Sequence, residues 1–146
     1  VVLDLCRERG LSLGVAESLT GGLIGSRLTN VPGASAVFRG SIVSYASEVK
    51  FDILGVPEGP VVSEEAVIAM AEGACRVLGA DASVAVTGVA GPDPQDGQEV
   101  GRVWMATSVD GVVEATTVKW PFDRERIRQF TTISILNALR LRLLRS

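Results

Sequence analysis

A chain of 146 residues, 47% hydrophobic and 21% charged, fits one soluble domain able to bury about two-thirds of the surface it exposes when unfolded. No apolar run approaches the ~18 residues of a membrane span, and a net charge of −3 without an aromatic-interleaved basic stripe argues against a nucleic-acid surface. Histidine is absent, so a Ser-His-Asp triad, a Cys-His pair, a His-containing zinc site and any imidazole base are excluded. Any hydrolytic base here is Lys, Asp, Glu or Tyr.

Residues 1–9 predict a helix and 11–16 a short buried strand that ends in Ala16-Glu17-Ser18-Leu19-Thr20-Gly21-Gly22. The chain starts at Val1, in what reads as the middle of an amphipathic helix rather than a signal peptide. The expectation is a longer protein with a further N-terminal domain. Thr20 is the expected N-cap of a helix over 21–29, stopped by Asn30-Val31-Pro32-Gly33. A strand is predicted over 37–45, a short helix over 47–54 and a turn-rich loop over 57–60. Ser63 caps a helix whose first turn holds Glu64 and Glu65, and whose stripe is Val67, Met70, Ala71, Ala74, Val77 and Leu78. A buried strand over 83–87 ends in Gly88-Val89-Ala90-Gly91-Pro92, followed by a polar loop over 93–99. Residues 102–108 and 112–120 form a hairpin about Asp110-Gly111. Asp123 caps a long last helix with Leu136, Leu139 and Leu143 as its core stripe.

Alternating strands and helices followed by a hairpin predict a single α/β domain, a three-layer sandwich with a mixed sheet. Cys6 and Cys75 sit in helical patterns without CxxC spacing. They read as buried thiols of a reducing, cytoplasmic compartment. Six of the fourteen basic residues fall in the last 23 positions, which reads as a solvated helix face.

In open α/β sheets ligands gather at the carboxyl ends of the strands, so the loops after Ala16 and Thr87 converge. Gly21, Gly22, Gly88 and Gly91 let backbone amides approach a phosphate or oxyanion, but a glycine after a strand is also an ordinary turn, and no P-loop or GxGxxG is present. Only two lysines occur, Lys50 and Lys119. A partly buried lysine can lose its proton and serve a serine nucleophile as base where histidine is absent. Ser35 is either a turn serine or a nucleophile, and Tyr45 either a strand aromatic or a site residue. Glu17 is either a buried acid bonded to backbone amides or a base, which the residues alone leave open.

Taken together, AESLTGG, the segment PGASAVFRGSIVSYASEVK at 32–50 and VTGVAGPD with VGRVWMA resemble the CinA C-terminal domain, a family that includes stand-alone nicotinamide-nucleotide amidases (PncC). The resemblance runs from about Ser12 to Ala106 and more loosely to the end. It implies an amidohydrolase that converts nicotinamide mononucleotide to nicotinate mononucleotide and ammonia, with neither metal nor cofactor. It also implies Ser35 as nucleophile, Lys50 as its base, Tyr45 as relay, and Ser18 as a relay member or the nucleophile itself. Glu17, Thr20, Gly21, Gly22, Thr87, Gly88, Gly91, Arg124 and Arg128 are the implied substrate contacts, with amides near Gly21-Gly22 or Gly33-Ala34 as the oxyanion hole. This chain departs from the family pattern at Leu19, where many relatives carry Cys, and in PQDGQEV, where they carry a glycine-rich segment ending in Lys-Pro. The alternative expectation is a non-catalytic nucleotide-binding or oligomerisation module. Leu141 and Leu144, off the stripe of the last helix, suggest a homodimer.

Overall fold

A computed structural model describes residues 1–145. Its elements are α1 (Val2–Glu8), β1 (Leu13–Glu17), α2 (Leu23–Thr29), a 3₁₀ turn at Ala34–Ala36, β2 (Phe38–Val43), α3 (Ser47–Asp52), α4 (Glu64–Leu78), β3 (Ala82–Gly88), β4 (Arg102–Val109), β5 (Val112–Lys119) and α5 (Arg124–Arg145). The sheet order is β2-β1-β3-β4-β5. The first three strands run parallel, and β4 pairs antiparallel with both β3 and β5. This is the expected mixed sheet of a single α/β domain.

Two apolar layers flank it. On one face α1, α2 and α5 bury Leu3, Ile24, Ile127, Ile135 and Leu139 against Leu13, Val15 and Val84. On the other, α4 presents Val67, Met70, Ala71 and Ala74 to Ala16, Ala85 and Ala106. Strands covered on both faces read as near-continuous apolar runs, which is why β1 and β3 lack alternation. β5 alternates between exposed and half-buried residues over most of its length, one face covered and the other open.

The α4 start is as expected, with Ser63 Oγ accepting the Ala66 N–H at 3.1 Å. The α4 stripe ends earlier than the pattern suggests, since Val77 is 48% exposed. Cys6 is fully buried but Cys75 only half so. The last helix is less solvated than its charge implies: Arg142 is buried and bonds the Thr107 and Val112 carbonyls. Among the described residues no helix is long and apolar enough to cross a membrane.

The start of α2 differs from expectation. Its N-cap is Gly22, at φ +108 and following Gly21 at φ +59, rather than Thr20. Two successive left-handed residues delay the helix, so the chain after β1 makes a tight loop first. That loop begins the candidate site.

Candidate active site

At the end of β1 the Glu17 side chain turns inward and is fully buried. Its Oε1 accepts the Thr20 hydroxyl at 2.7 Å and the N–H groups of Gly22 and Ile24 at 3.1 and 3.0 Å. Its Oε2 accepts the Gly25 N–H at 2.9 Å and the Ser41 hydroxyl at 2.7 Å. A carboxylate at a helix N-terminus satisfies donors that the helix leaves orphaned and meets the positive end of its dipole. Glu17 is therefore the buried acid bonded to amides, and the expected substrate contact is corrected. Thr20 is likewise turned to Glu17 and is fully buried. The amides of the Gly21–Gly22 corner are consumed as well, because Gly21 N–H donates to Ser18 O at 3.0 Å and Gly22 N–H to Glu17. They form no oxyanion hole in this arrangement.

The same residue ties two strands together through its main chain. Glu17 O accepts both the N–H and the hydroxyl of Ser44, at 2.7 and 3.0 Å. This bond fixes Ser44-Tyr45 just past the end of β2, where the chain turns into α3. One helical turn on, Lys50 reaches back: Nζ donates to Ser44 O at 2.6 Å and to Tyr45 O at 3.5 Å. Lys50 is 2% exposed. Burial pushes its amine down from an ordinary 10.5 to about 8, with the Asp96 carboxylate acting in the opposite sense. Stripping water from the ammonium favours the neutral amine, the form able to accept a proton.

Lys50 opens onto a cleft of about 350 Å³ at the carboxyl ends of β1 and β3, shared with Ser18, Tyr45, Thr87, Gly91 and Arg124. That volume suits a small ligand. Ser18 is buried and lines the cleft. Arg124, at the start of α5, donates to Tyr45 Oη at 2.9 Å and to the Gly91 carbonyl. It thus bridges two walls and, among the described residues, carries the one guanidinium along the cleft.

Other expected residues have different employment. Thr87 Oγ1 donates to Val61 O at 2.6 Å. At Gly88 a Cβ would lie 2.8 Å from Arg102 O, so the glycine is needed for the approach of β4. Both still line the cleft. Arg128 does not; it clamps the loop after β1 from α5, donating to Leu19 O at 2.9 Å and Thr20 O at 3.2 Å.

Ser35 stands apart. It is exposed in the 3₁₀ turn before β2, whereas Lys50 Nζ is bonded just past the end of β2. Six strand residues at about 3.3 Å each separate the two by roughly 20 Å. Gly33 and Ala34 lie at the same far end, beside Arg7. Within one chain the structure brings Ser18, Tyr45 and Lys50 together and leaves Ser35 out.

A larger apolar groove of about 580 Å³ lies between β4–β5 and α5, and Leu141 and Leu144 line it. Its charged groups, Glu114 and Arg145, pair with each other at 2.8 Å. It offers no group with which to do proton chemistry. Among the described residues no three carboxylate or thiol side chains gather as a metal ion requires.

A model of the CinA C-terminal domain matches residues 1–143. The chain belongs to the CinA C-terminal domain family. A CinA-like protein of Frankia casuarinae is 50% identical over 146 residues, covering 96% of this chain but 34% of the relative. The domain thus spans about a third of the length of such curated relatives. Among solved structures, a CinA superfamily protein from Klebsiella pneumoniae 700603 superposes with a TM-score of 0.94 at 29% identity, covering 99% and 94% of the two chains. The competence/damage inducible protein CihA of Agrobacterium tumefaciens gives 0.86 at 34%, covering 97% and 94%. In this CinA domain, sequence reading missed Asp96 and the Ser44 carbonyl. Asp96-Gly97 is a turn signal, but nothing in the sequence brings that turn to the Val61 amide at the cleft.

Proposed function

We propose that this CinA C-terminal domain is an amidohydrolase that deamidates nicotinamide mononucleotide, with Lys50 as general base and Ser18 as nucleophile. The observation that carries the reading is a buried lysine amine, its pKa pushed down to about 8, facing a cleft that also holds a buried serine, in a chain without histidine. The Ser18 oxygen attacks the carboxamide carbon while Lys50 takes the hydroxyl proton. Collapse of the tetrahedral adduct breaks the C–N bond, and Lys50 returns the proton to the leaving nitrogen as ammonia departs. Water, activated by the same amine, then hydrolyses the acyl ester. Arg124 is the cation available to the ribose phosphate, and its bond to Tyr45 aligns that side chain over the cleft. Ser35 enters such a site only from a second copy of the chain, a homodimer that exposed Leu141 and Leu144 favour. The expected setting is the cytoplasm.

A second reading, a nucleotide-binding module without turnover, is favoured by one observation: the Lys50 bonds go to two carbonyls rather than to a serine hydroxyl. Incubation of the purified protein with nicotinamide mononucleotide separates the two. The amidase reading expects ammonia and nicotinate mononucleotide in equal amounts, a loss of about 10²-fold or more in Ser18→Ala, and near wild-type rates in Ser35→Ala. Binding without product supports the second reading. Loss in Ser35→Ala, restored by mixing that variant with Lys50→Ala, would assign the nucleophile to a partner copy.

A further inference from the structure

The polar loop between β3 and β4 carries a small built element. Gln95 N–H donates to Gln98 O at 3.2 Å and Gln98 N–H to Gln95 O at 2.7 Å, with Asp96 at φ +51 and Gly97 at φ +72. Two left-handed residues between a bonded pair make a type I′ turn, for which Asp-Gly is a favoured dipeptide. The tip is exposed but anchored. Asp96 Oδ2 accepts the Val61 N–H at 2.9 Å, and Val61, Gln95 and Lys50 line one cleft.

Other charged or titratable groups stand around Lys50. Arg124, from α5, is directed at Tyr45 Oη and Gly91 O. Glu17, from β1, is wholly used by α2 and Ser41. Asp93 lines the cleft from the same loop as Asp96, Tyr45 lines it from the link before α3, and Glu48 and Asp52 share α3 with Lys50. Asp96, bonded to the Val61 amide, stands at the wall of the cleft onto which Lys50 opens, and its charge opposes the effect of burial on the amine.

We propose that Asp96 is a positioning residue for Lys50: pinned to the Val61 amide, its carboxylate is the counter-charge for the ammonium that Lys50 becomes on taking the nucleophile's proton. The inference rests on the amidase reading above. An amine buried against two carbonyls alone is easily deprotonated but a poor proton acceptor. A nearby carboxylate strengthens it as a base at the cost of needing a higher pH to free it. Removing the charge therefore moves the acid limb of the pH–rate profile to lower pH and lowers the plateau rate. A residue that only closes the turn would move neither.

Two lysines in the chain make the test direct, because ¹³Cε-lysine labelling gives two titrating signals with Lys119 as internal reference. Asp96→Asn keeps tolerance of positive φ and an oxygen for the Val61 N–H, so the turn is retained. Its Lys50 midpoint is expected to fall by roughly half to one pH unit, the modest size reflecting an exposed carboxylate. Asp96→Glu, which restores the charge, is expected to return the midpoint toward wild type. A Lys50 midpoint unchanged in Asp96→Asn overturns the proposal, whatever the activity of either protein. A lowered midpoint in a protein that releases no ammonia from nicotinamide mononucleotide at any pH upholds the Asp96–Lys50 pairing and overturns the amidase reading alone.

Discussion

Lys50→Ala is expected to lower kcat/KM for nicotinamide mononucleotide deamidation by about 10²–10⁴-fold, the usual contribution of a positioned general base, while the protein stays folded. With no histidine in the chain, no imidazole can take over the proton. Tyr45 is committed to Arg124, and Glu17 is enclosed by three amides and two hydroxyls. The fold tolerates the loss because a buried ammonium is itself costly: each pH unit by which an amine is held below 10.5 is worth about 1.4 kcal/mol against the charged form. Lys50→Arg is not expected to rescue, since a guanidinium does not deprotonate in this range. A small primary amine added to Lys50→Ala should restore part of the rate. Turnover within tenfold of wild type in Lys50→Ala would place the base elsewhere.

Glu17→Ala is the substitution expected to cost the most stability, about 3–5 kcal/mol, comparable with breaking a buried charge pair. Alanine leaves the buried N–H groups of Ile24 and Gly25 and the buried Thr20 hydroxyl without an acceptor, and the half-buried Gly22 N–H and Ser41 hydroxyl with only water in its place. Each unsatisfied buried donor costs about 1–3 kcal/mol, with partial relief from relaxation. Glu17→Gln should fall between, because its amide keeps the shape but turns a donor toward one of those donors. Urea denaturation reads the difference as a lower midpoint at unchanged slope. Ser18 follows directly in the chain, so activity should fall with stability even where substrate contacts are intact. A change of less than about 1 kcal/mol in Glu17→Ala would mean that the carboxylate does not hold the corner.

Much of the fold was legible because burial and local signals agree. The doubly covered runs of β1 and β3, the Ser63 cap and the Asp110-Gly111 hairpin each follow from side-chain chemistry within a few residues. The site was legible in part. Lys50 stands out by rarity and Ser18 by its place after a strand. What the pattern could not convey is direction along the strand: Ser35 precedes β2 and Lys50 follows it, so the two lie at opposite ends of that strand. Nor could it show that Glu17 consumes the amides of Gly22 and Gly25, because a carboxylate followed by glycines reads equally as a cap and as a ligand-binding corner. Asp96 depended on a contact with Val61, 35 residues away, which no local pattern encodes.

The pH dependence of kcat/KM for nicotinamide mononucleotide tests the central claim most directly. Lys50 accepts a proton only as the free amine, and its burial holds the amine near 8. The rate should therefore rise tenfold per pH unit below that value, level off above it, and lose this limb in Lys50→Ala. A profile flat through pH 8, or an identical limb in Lys50→Ala, would contradict it.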